Sequence, residues 1–289
     1  MTVCIAALCD NRKAIILAAD KMVGSHAIES ETEIHKVLSL HKDWRVMLAG
    51  NDTSPAFEII DSAKKKLSKG RGLTVQEVEH AVVESYREKR LADAASQYLA
   101  PRGLTLEAFY SVSSNALPES LRLSLDSAIE SHRLELELLV AGFDRVGQGH
   151  IFSVWDLDNR GAARRFDIPG FQAIGSGSHG ANYLMMYRSL SPALPIRWAL
   201  YLVLEGKYFG ELASGVGPRT DLYILRHGKP IIKIKEDTVE KKLIKICEQV
   251  EPRSLTQKHV DVLNSLAGPA ITSIKKLKTK RKGRELAIS

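Results

Sequence analysis

Cysteine is scarce in this 289-residue chain, which holds only Cys4, Cys9 and Cys247. Their spacing offers neither a disulfide framework nor a set of metal ligands, and so few thiols fit a reducing cytoplasm. Long apolar runs are missing as well. No stretch approaches the roughly 18 continuous apolar residues of a membrane span, and the first residues lack the basic-then-apolar order of a signal peptide. The expectation is a soluble cytoplasmic protein with no membrane contact, no metal and no cofactor. An even spread of positive charge is also lacking. The formal net charge is +7, yet Lys275, Lys276, Lys278, Lys280, Arg281, Lys282 and Arg284 crowd one end. The body is therefore close to neutral, which argues against a globally basic nucleic-acid binder. The lysine-rich end has too little apolar content to fold alone and reads as a solvated tail, with contact to an acidic partner as the sharper alternative.

What is present begins at the second residue. Removal of Met1 would make Thr2 N-terminal, with a hydroxyl and a free α-amine on one framework. An α-amine titrates at about 7.7–8.0 when unperturbed, so near neutral pH it can accept the hydroxyl proton. This is one of the few ways to activate a hydroxyl nucleophile without histidine. Residues 2–8 read as a strand, Asp10-Asn11-Arg12-Lys13 as a turn, and residues 14–19 as a second strand ending on Asp20. A hairpin of that length returns the chain to the level of Thr2, so Asp20 emerges beside it. After an excursion over residues 21–35 come Lys36 and Val37, then a third apolar run, 45–49, ending at Gly50.

Thr2 with its hairpin, Ala18-Ala19-Asp20, Lys36-Val37 and Leu48-Ala49-Gly50 together resemble the proteasome β-subunit family of N-terminal-nucleophile hydrolases. Only the hairpin turn is about two residues longer than that family's usual one, a change a surface turn tolerates. The resemblance implies roles. Thr2 is the nucleophile, and Lys36 depresses the amine pKa because a nearby cation disfavours a second one. Asp20 holds Lys36, and the Gly50 N–H meets the oxyanion. Gly175-Ser176-Gly177 matches the family's turn beside the nucleophile, which gives Ser176 a place near the Thr2 amine. Glu211, three residues before Ser214-Gly215, stands where the family has an acidic member of the same network, usually aspartate. Val23, Gly24, Ile34, Leu48 and Asp52 fall where the family builds its first specificity pocket. That lining is mostly apolar and implies a hydrophobic side chain before the cut, with Asp52 as the exception.

The rest of the chain is consistent with such a fold. Asp52-Thr53-Ser54-Pro55 starts a helix, with Ser54 as N-cap and Pro55 at its first position, and Ala56, Ile59, Ile60, Ala63 and Leu67 share one face. Thr74 and Glu77 form a capping box that opens a second helix running to about Tyr98. Residues 104–112 and 117–130 read as amphipathic helices inserted where the family turns quickly into a strand, either a packing elaboration or an arm that contacts a neighbouring subunit or shapes the substrate entrance. A meander follows over 134–166. Gly175-Ser176-Gly177-Ser178-His179-Gly180 also fits G-x-G-x-x-G, but no βαβ unit surrounds it and no acidic residue occurs before Glu205, which excludes a dinucleotide site. The following helix, 178–189, is expected to bury Tyr183, Met186 and Tyr187, with His179 at the surface. Strands at 221–225 and 230–234 close the sandwich, the last of them in the second sheet.

The expected fold is α+β, a four-layer α/β/β/α sandwich of two antiparallel sheets of the N-terminal-nucleophile type. It spans residues 1–235, with a helical insertion at about 101–132. Residues 236–289 form a helical extension with the basic tail, with one amphipathic stretch at 238–249 and a helix capped by Ser254. The resemblance implies a threonine-type endopeptidase that cleaves polypeptides. It also implies a homo-oligomeric ring, and leaves open whether an ATP-dependent unfoldase feeds it. Two alternatives stand beside it: a catalytically silent ring subunit that keeps Met1, and an amidohydrolase acting on a non-peptide amide.

Overall fold

A computed structural model of the chain describes residues 2–25, 28–31, 35–67, 72–111, 117–156, 161–235 and 257–267. Strands β1 (Cys4–Cys9) and β2 (Ala14–Asp20) are buried at every position, which explains why both are continuous apolar runs rather than alternating ones. The turn between them takes Asp10, Asn11 and Arg12 through φ values of 51°, 57° and 65°. Aspartate and asparagine tolerate that left-handed region better than most residues.

Strand β2 leads into a short hairpin, β3 (Met22–Ser25) and β4 (Ile28–Glu31). Strands β5 (Val37–His41) and β6 (Trp44–Gly50) then open a second sheet, completed by β7 (Leu136–Phe143), β8 (Gly149–Trp155) and β9 (Ala162–Arg165) in sequential order. The first sheet is completed by β10 (Phe171–Ile174), β11 (Thr220–Arg226) and β12 (Ile232–Ile234), in the order β10-β1-β2-β11-β12. Every pairing in both sheets is antiparallel. The last strand thus joins the sheet of the N-terminal hairpin and not the second sheet. The Lys229 N–H to Arg226 carbonyl turn folds it straight back onto β11.

Seven α-helices are seen among the described residues. Helices α1 (Ser54–Lys66) and α2 (Val75–Ala94) cover the outer face of the second sheet, where Ile59, Ala63, Val78 and Tyr86 meet Trp44, Val46, Leu138 and Val140. Two short helices, α3 (Leu106–Tyr110) and α4 (Glu119–Ser131), form the inserted unit. The first sheet is covered by α5 (Ser178–Tyr187) and α6 (Ile196–Gly210), with Val3, Ile5, Ile16 and Ala18 beneath. Between the sheets, Cys4, Ala6, Leu8, Ile15 and Leu17 pack against Met47, Ala49, Leu139, Ala141 and Ile151. The layers therefore run helix, sheet, sheet, helix, with three separate apolar interfaces. Among the described residues no helix is long and apolar enough to cross a membrane.

Several helix ends differ in detail from expectation. Thr53, not Ser54, is the residue before α1, and its side chain makes no capping bond; Asp52 accepts the Ser54 N–H instead, at 2.8 Å. The Thr74–Glu77 capping box forms as expected, and α2 ends at Ala94 in a π-helical turn, Ala95–Leu99. The inserted helices bury Phe109, Leu125 and Ile129 against Ala94 and Leu99, a small core of their own. Arg90 fastens it by donating to the carbonyls of Ile129 and His132.

A clearer correction concerns α5. Tyr183, Met186 and Tyr187 are 61%, 66% and 71% exposed, and the residues it buries are Ala181 and Met185. The helix has one covered stripe because α6 lies against it on that side, where Gly206 allows close approach to Met185. Helix α6 is itself covered further by α7 (Gln257–Ala267), whose Leu263 joins the same core. Part of the C-terminal extension thus belongs to the outer layer. The stretch at 238–249 and the basic tail lie outside the described residues.

Candidate active site

Strand register gathers the site at one end of the first sheet. Cys4 pairs with Ala19 on one side and Ile174 on the other, so Thr2 lies level with the end of β2 and with the turn after β10. Thr220 pairs with Asp20 and brings the loop before β11 to the same level. The second sheet contributes Lys36, just before β5, and Gly50, the last residue of β6.

Thr2, Asp20 and Lys36 are 4%, 1% and 6% exposed. The Thr2 hydroxyl donates to Asp20 Oδ1 and accepts from Lys36 Nζ, and Lys36 Nζ reaches Asp20 Oδ1 at 2.9 Å. A carboxylate so deeply buried is tolerated only with its lone pairs filled. Asp20 fills them with the N–H groups of Val3 at 2.9 Å, Met22 at 3.0 Å and Gly217 at 3.4 Å besides the two side chains. The result is a hydroxyl fixed between a cation and an anion, with its proton directed at the carboxylate.

The Thr2 nitrogen donates to Ser176 Oγ at 3.2 Å, and the Gly177 N–H donates to the Thr2 carbonyl at 3.2 Å. Gly175 turns with φ at 87° directly against Thr2, and a Cβ there would lie 2.7 Å from the Thr2 methyl. Any other residue would push the threonine out of place. A cavity of about 200 Å³ opens at Thr2, lined by Ala49, Gly50, Asn51, Glu135, Glu137, Gly175 and Ser176. Gly50 has no room for a side chain because the Glu135 carbonyl would lie 2.5 Å from it.

Thr2, Asp20, Lys36, Gly50 and Ser176 therefore stand together. Ser214 is exposed and makes none of the described hydrogen bonds to this group. Glu211 pairs with Lys207 and makes none of the described hydrogen bonds to Thr2 itself. Among the pocket residues, Leu48 is buried in the layer beneath α1, and Asp52 is an exposed helix-start residue whose carboxyl the Ser54 N–H holds below its ordinary range. Val23 and Gly24 lie in β3, and Ile34 lies outside the described residues.

Three contributors escaped the sequence reading. Lys207 is 2% exposed and donates to the carbonyls of Gly217 at 2.8 Å and Pro218 at 2.7 Å, fixing the loop whose Gly217 N–H serves Asp20. Its i,i+4 spacing to Glu211, at the end of a helix whose only other charged residues are Arg197 and Glu205, was the available signal. Glu137 accepts the Gly175 N–H at 3.1 Å, and Glu135 accepts from Asn51 Nδ2 at 2.7 Å. Within β7 the alternation sets Glu137 opposite Leu136 and Leu138, while Glu135 precedes the strand with φ at 50°. Cys4 is no rival nucleophile, because burial outweighs the nearby Lys36 charge and pushes its thiol up to about 12.

No group of three or more histidine, cysteine, aspartate or glutamate side chains suited to a metal ion occurs among the described residues. No protein-family model matches the chain, and no curated protein matches it either.

Proposed function

We propose that the chain is a threonine-type peptidase of the N-terminal-nucleophile kind, acting through Thr2 after removal of Met1. The observation that carries this is the buried Thr2 hydroxyl held by Lys36 and Asp20 at the mouth of a cavity, with the Thr2 nitrogen on Ser176. Cleavage of the Met1–Thr2 bond turns that nitrogen into an amine on the same residue as the hydroxyl.

In the reaction, the Thr2 hydroxyl turns its proton from Asp20 to the Thr2 amine, which takes it as Oγ1 attacks a substrate carbonyl carbon. The tetrahedral oxyanion is met by the Gly50 N–H, and Lys36 adds positive charge beside it. The C–N bond then breaks, the leaving amine takes the proton, and an ester to Thr2 remains. Water, deprotonated by the same amine, hydrolyses the ester and restores the hydroxyl. The two glutamates lining the cavity favour substrates with positive charge near the cleaved bond.

A homo-oligomeric ring in the cytoplasm is the setting we propose. The exposed Tyr183, Met186 and Tyr187 with Tyr208, Phe209 and Leu212 support self-association, since apolar surface of this kind is seldom left in water. Light scattering of the purified chain tests that part. The chemistry is tested by intact mass: a peptidyl β-lactone should add covalently to a chain that has lost Met1. A chain that keeps Met1 under conditions of peptide hydrolysis would sink the mechanism and leave the silent-subunit alternative.

A further inference from the structure

Behind the Thr2 cluster lies a second buried carboxylate. Asp221, the second residue of β11, sits opposite Ala19 with its side chain 3% exposed. Its Oδ2 is 2.7 Å from His35 Nδ1, and its Oδ1 is 3.2 Å from Lys233 Nζ and 4.0 Å from Lys21 Nζ. Lys21 immediately follows Asp20, and His35 immediately precedes Lys36. One carboxylate therefore holds the chain next to both charged partners of the Thr2 hydroxyl. Lys21 is also 3% exposed, and its N–H donates to the Arg219 carbonyl in the segment that leads to Asp221.

We infer that Asp221 is a positioning residue for the reaction, setting the placement of Lys36 and Asp20 about Thr2 through His35 and Lys21. The inference rests on the reading of Thr2 as nucleophile. Asp221 touches neither Thr2 nor the cavity among the described contacts, so it has no chemical step of its own. Its effect is geometric: reacting groups have to be held within fractions of an ångström, and a displacement of about 1 Å costs roughly 100-fold in rate. Lys36 is especially dependent on such a hold, because it enters the site from the start of β5 and not from within a strand. The other charged group on Asp221, Lys233 of β12, also lies over the Tyr223 ring at 5.5 Å.

The test is the rate of Thr2 acylation by a peptidyl β-lactone, followed by intact mass on the full chain at increasing probe concentration. Asp221→Asn keeps size and one acceptor oxygen while removing the charge. It should lower the saturating rate by roughly 10- to 100-fold, with the half-saturating concentration unchanged. His35→Asn should act in the same direction. Because both changes break one linkage, the double variant should be no slower than Asp221→Asn alone. A folded Asp221→Asn chain that acylates at the wild-type rate overturns the inference. So does a fall confined to the half-saturating concentration. If Asp221→Asn does not fold, His35→Asn decides, since His35 is 45% exposed and its removal leaves the core intact. A wild-type rate for that variant overturns the inference equally. A wild-type chain that has lost Met1 and still does not acylate overturns the nucleophile reading itself, a separate outcome.

Discussion

The two ends of the β1–β2 hairpin each carry a cluster of charged groups, and only one of them holds a hydroxyl beside a cavity. At the turn end, Arg12 donates twice to the Gly149 carbonyl and pairs with Asp167 at 3.2 Å. His150 places Nδ1 2.7 Å from Asp167 and Nε2 3.3 Å from Asp144, with its ring stacked on Trp44. Both carboxylates also accept backbone N–H groups, Asp167 from Ile151 and Asp144 from Val146 and Gln148. Every group there joins one sheet or turn to another, and none of these side chains is among those lining the described cavities. At the Thr2 end, a hydroxyl lies inside the ion pair and a cavity opens beside it. Buried charge is common to both. The reactive group with access to a ligand is what differs.

The widest separation between the two ends is expected from Thr2→Ala. It should lower peptide hydrolysis and β-lactone acylation by roughly 1,000-fold or more, because without the nucleophile only binding and the oxyanion donor remain. Thermal unfolding should move little, since Asp20 retains Lys36 and three N–H donors. Equal activity of this variant and the wild type would remove the distinction altogether.

Lys36→Met comes next. It leaves the Asp20 carboxylate buried without its ammonium, and breaking one side of a buried pair costs about 3–5 kcal/mol. Urea unfolding should show a loss of that order, and acylation should fall at least roughly 100-fold with it. A large activity loss without destabilisation would mean that the pair is more hydrated than its 6% and 0% side-chain exposure implies.

Asp167→Asn, at the turn end, should do the reverse: measurable destabilisation with acylation unchanged. Burial pushes the Asp167 carboxyl up, but the hydrogen bonds from His150 and the Ile151 N–H and the charge of Arg12 outweigh it and hold it below its ordinary range. A depressed carboxyl stabilises the fold above its unfolded-state value of about 3.9, and this is lost as pH falls through the folded value. Urea unfolding should therefore show the variant weaker by roughly 1–3 kcal/mol near pH 7. The two proteins should converge as pH drops below about 4. A constant difference across that range would assign the effect to packing.

How much of this was legible depended on whether the signal was local. The N-terminal hairpin, the Thr74–Glu77 box and the inserted helices follow from residue patterns within one or two turns of chain, and all formed. Of the Thr2 group, only the nearness of Asp20 followed from the hairpin's length; Lys36, Gly50 and Ser176 were expected from the resemblance alone, and long-range strand register is what brings them to Thr2. The buried face of α5 was not legible: Tyr183, Met186 and Tyr187 have the right chemistry for a core, and only the approach of α6 decides which stripe is covered. The sheet of β12 was lost for a related reason, since a short strand carries no mark of its partner. The i,i+4 spacing of Lys207 to Glu211 was visible but not its reach to the Gly217 carbonyl, and Asp221 meets His35 across 186 positions of sequence, which no local pattern encodes.

The smallest expected effect probes the cavity. Glu135 and Glu137 line it, while Lys36 and Asp20 nearly cancel one another, so the space beside Thr2 is net negative. A cation a few ångströms from a partly hydrated carboxylate gains on the order of 1 kcal/mol, or roughly fivefold in binding. Paired peptide substrates with lysine or glutamate beside the cleaved bond should be hydrolysed with kcat/KM differing by about that factor per carboxylate, lysine preferred. Glu135→Gln is the cleaner variant because Glu135 is exposed and its bond to Asn51 survives as an amide. It should reduce the preference, and about 0.5 M salt should reduce it in the wild type too. Glu137→Gln also weakens the acceptor of the Gly175 N–H, so it should lower turnover of both substrates as well as the preference between them. If lysine and glutamate substrates are cut equally by the wild type at low salt, the two carboxylates serve Asn51 and Gly175 alone, and the cavity resembles the turn end more than its position suggests.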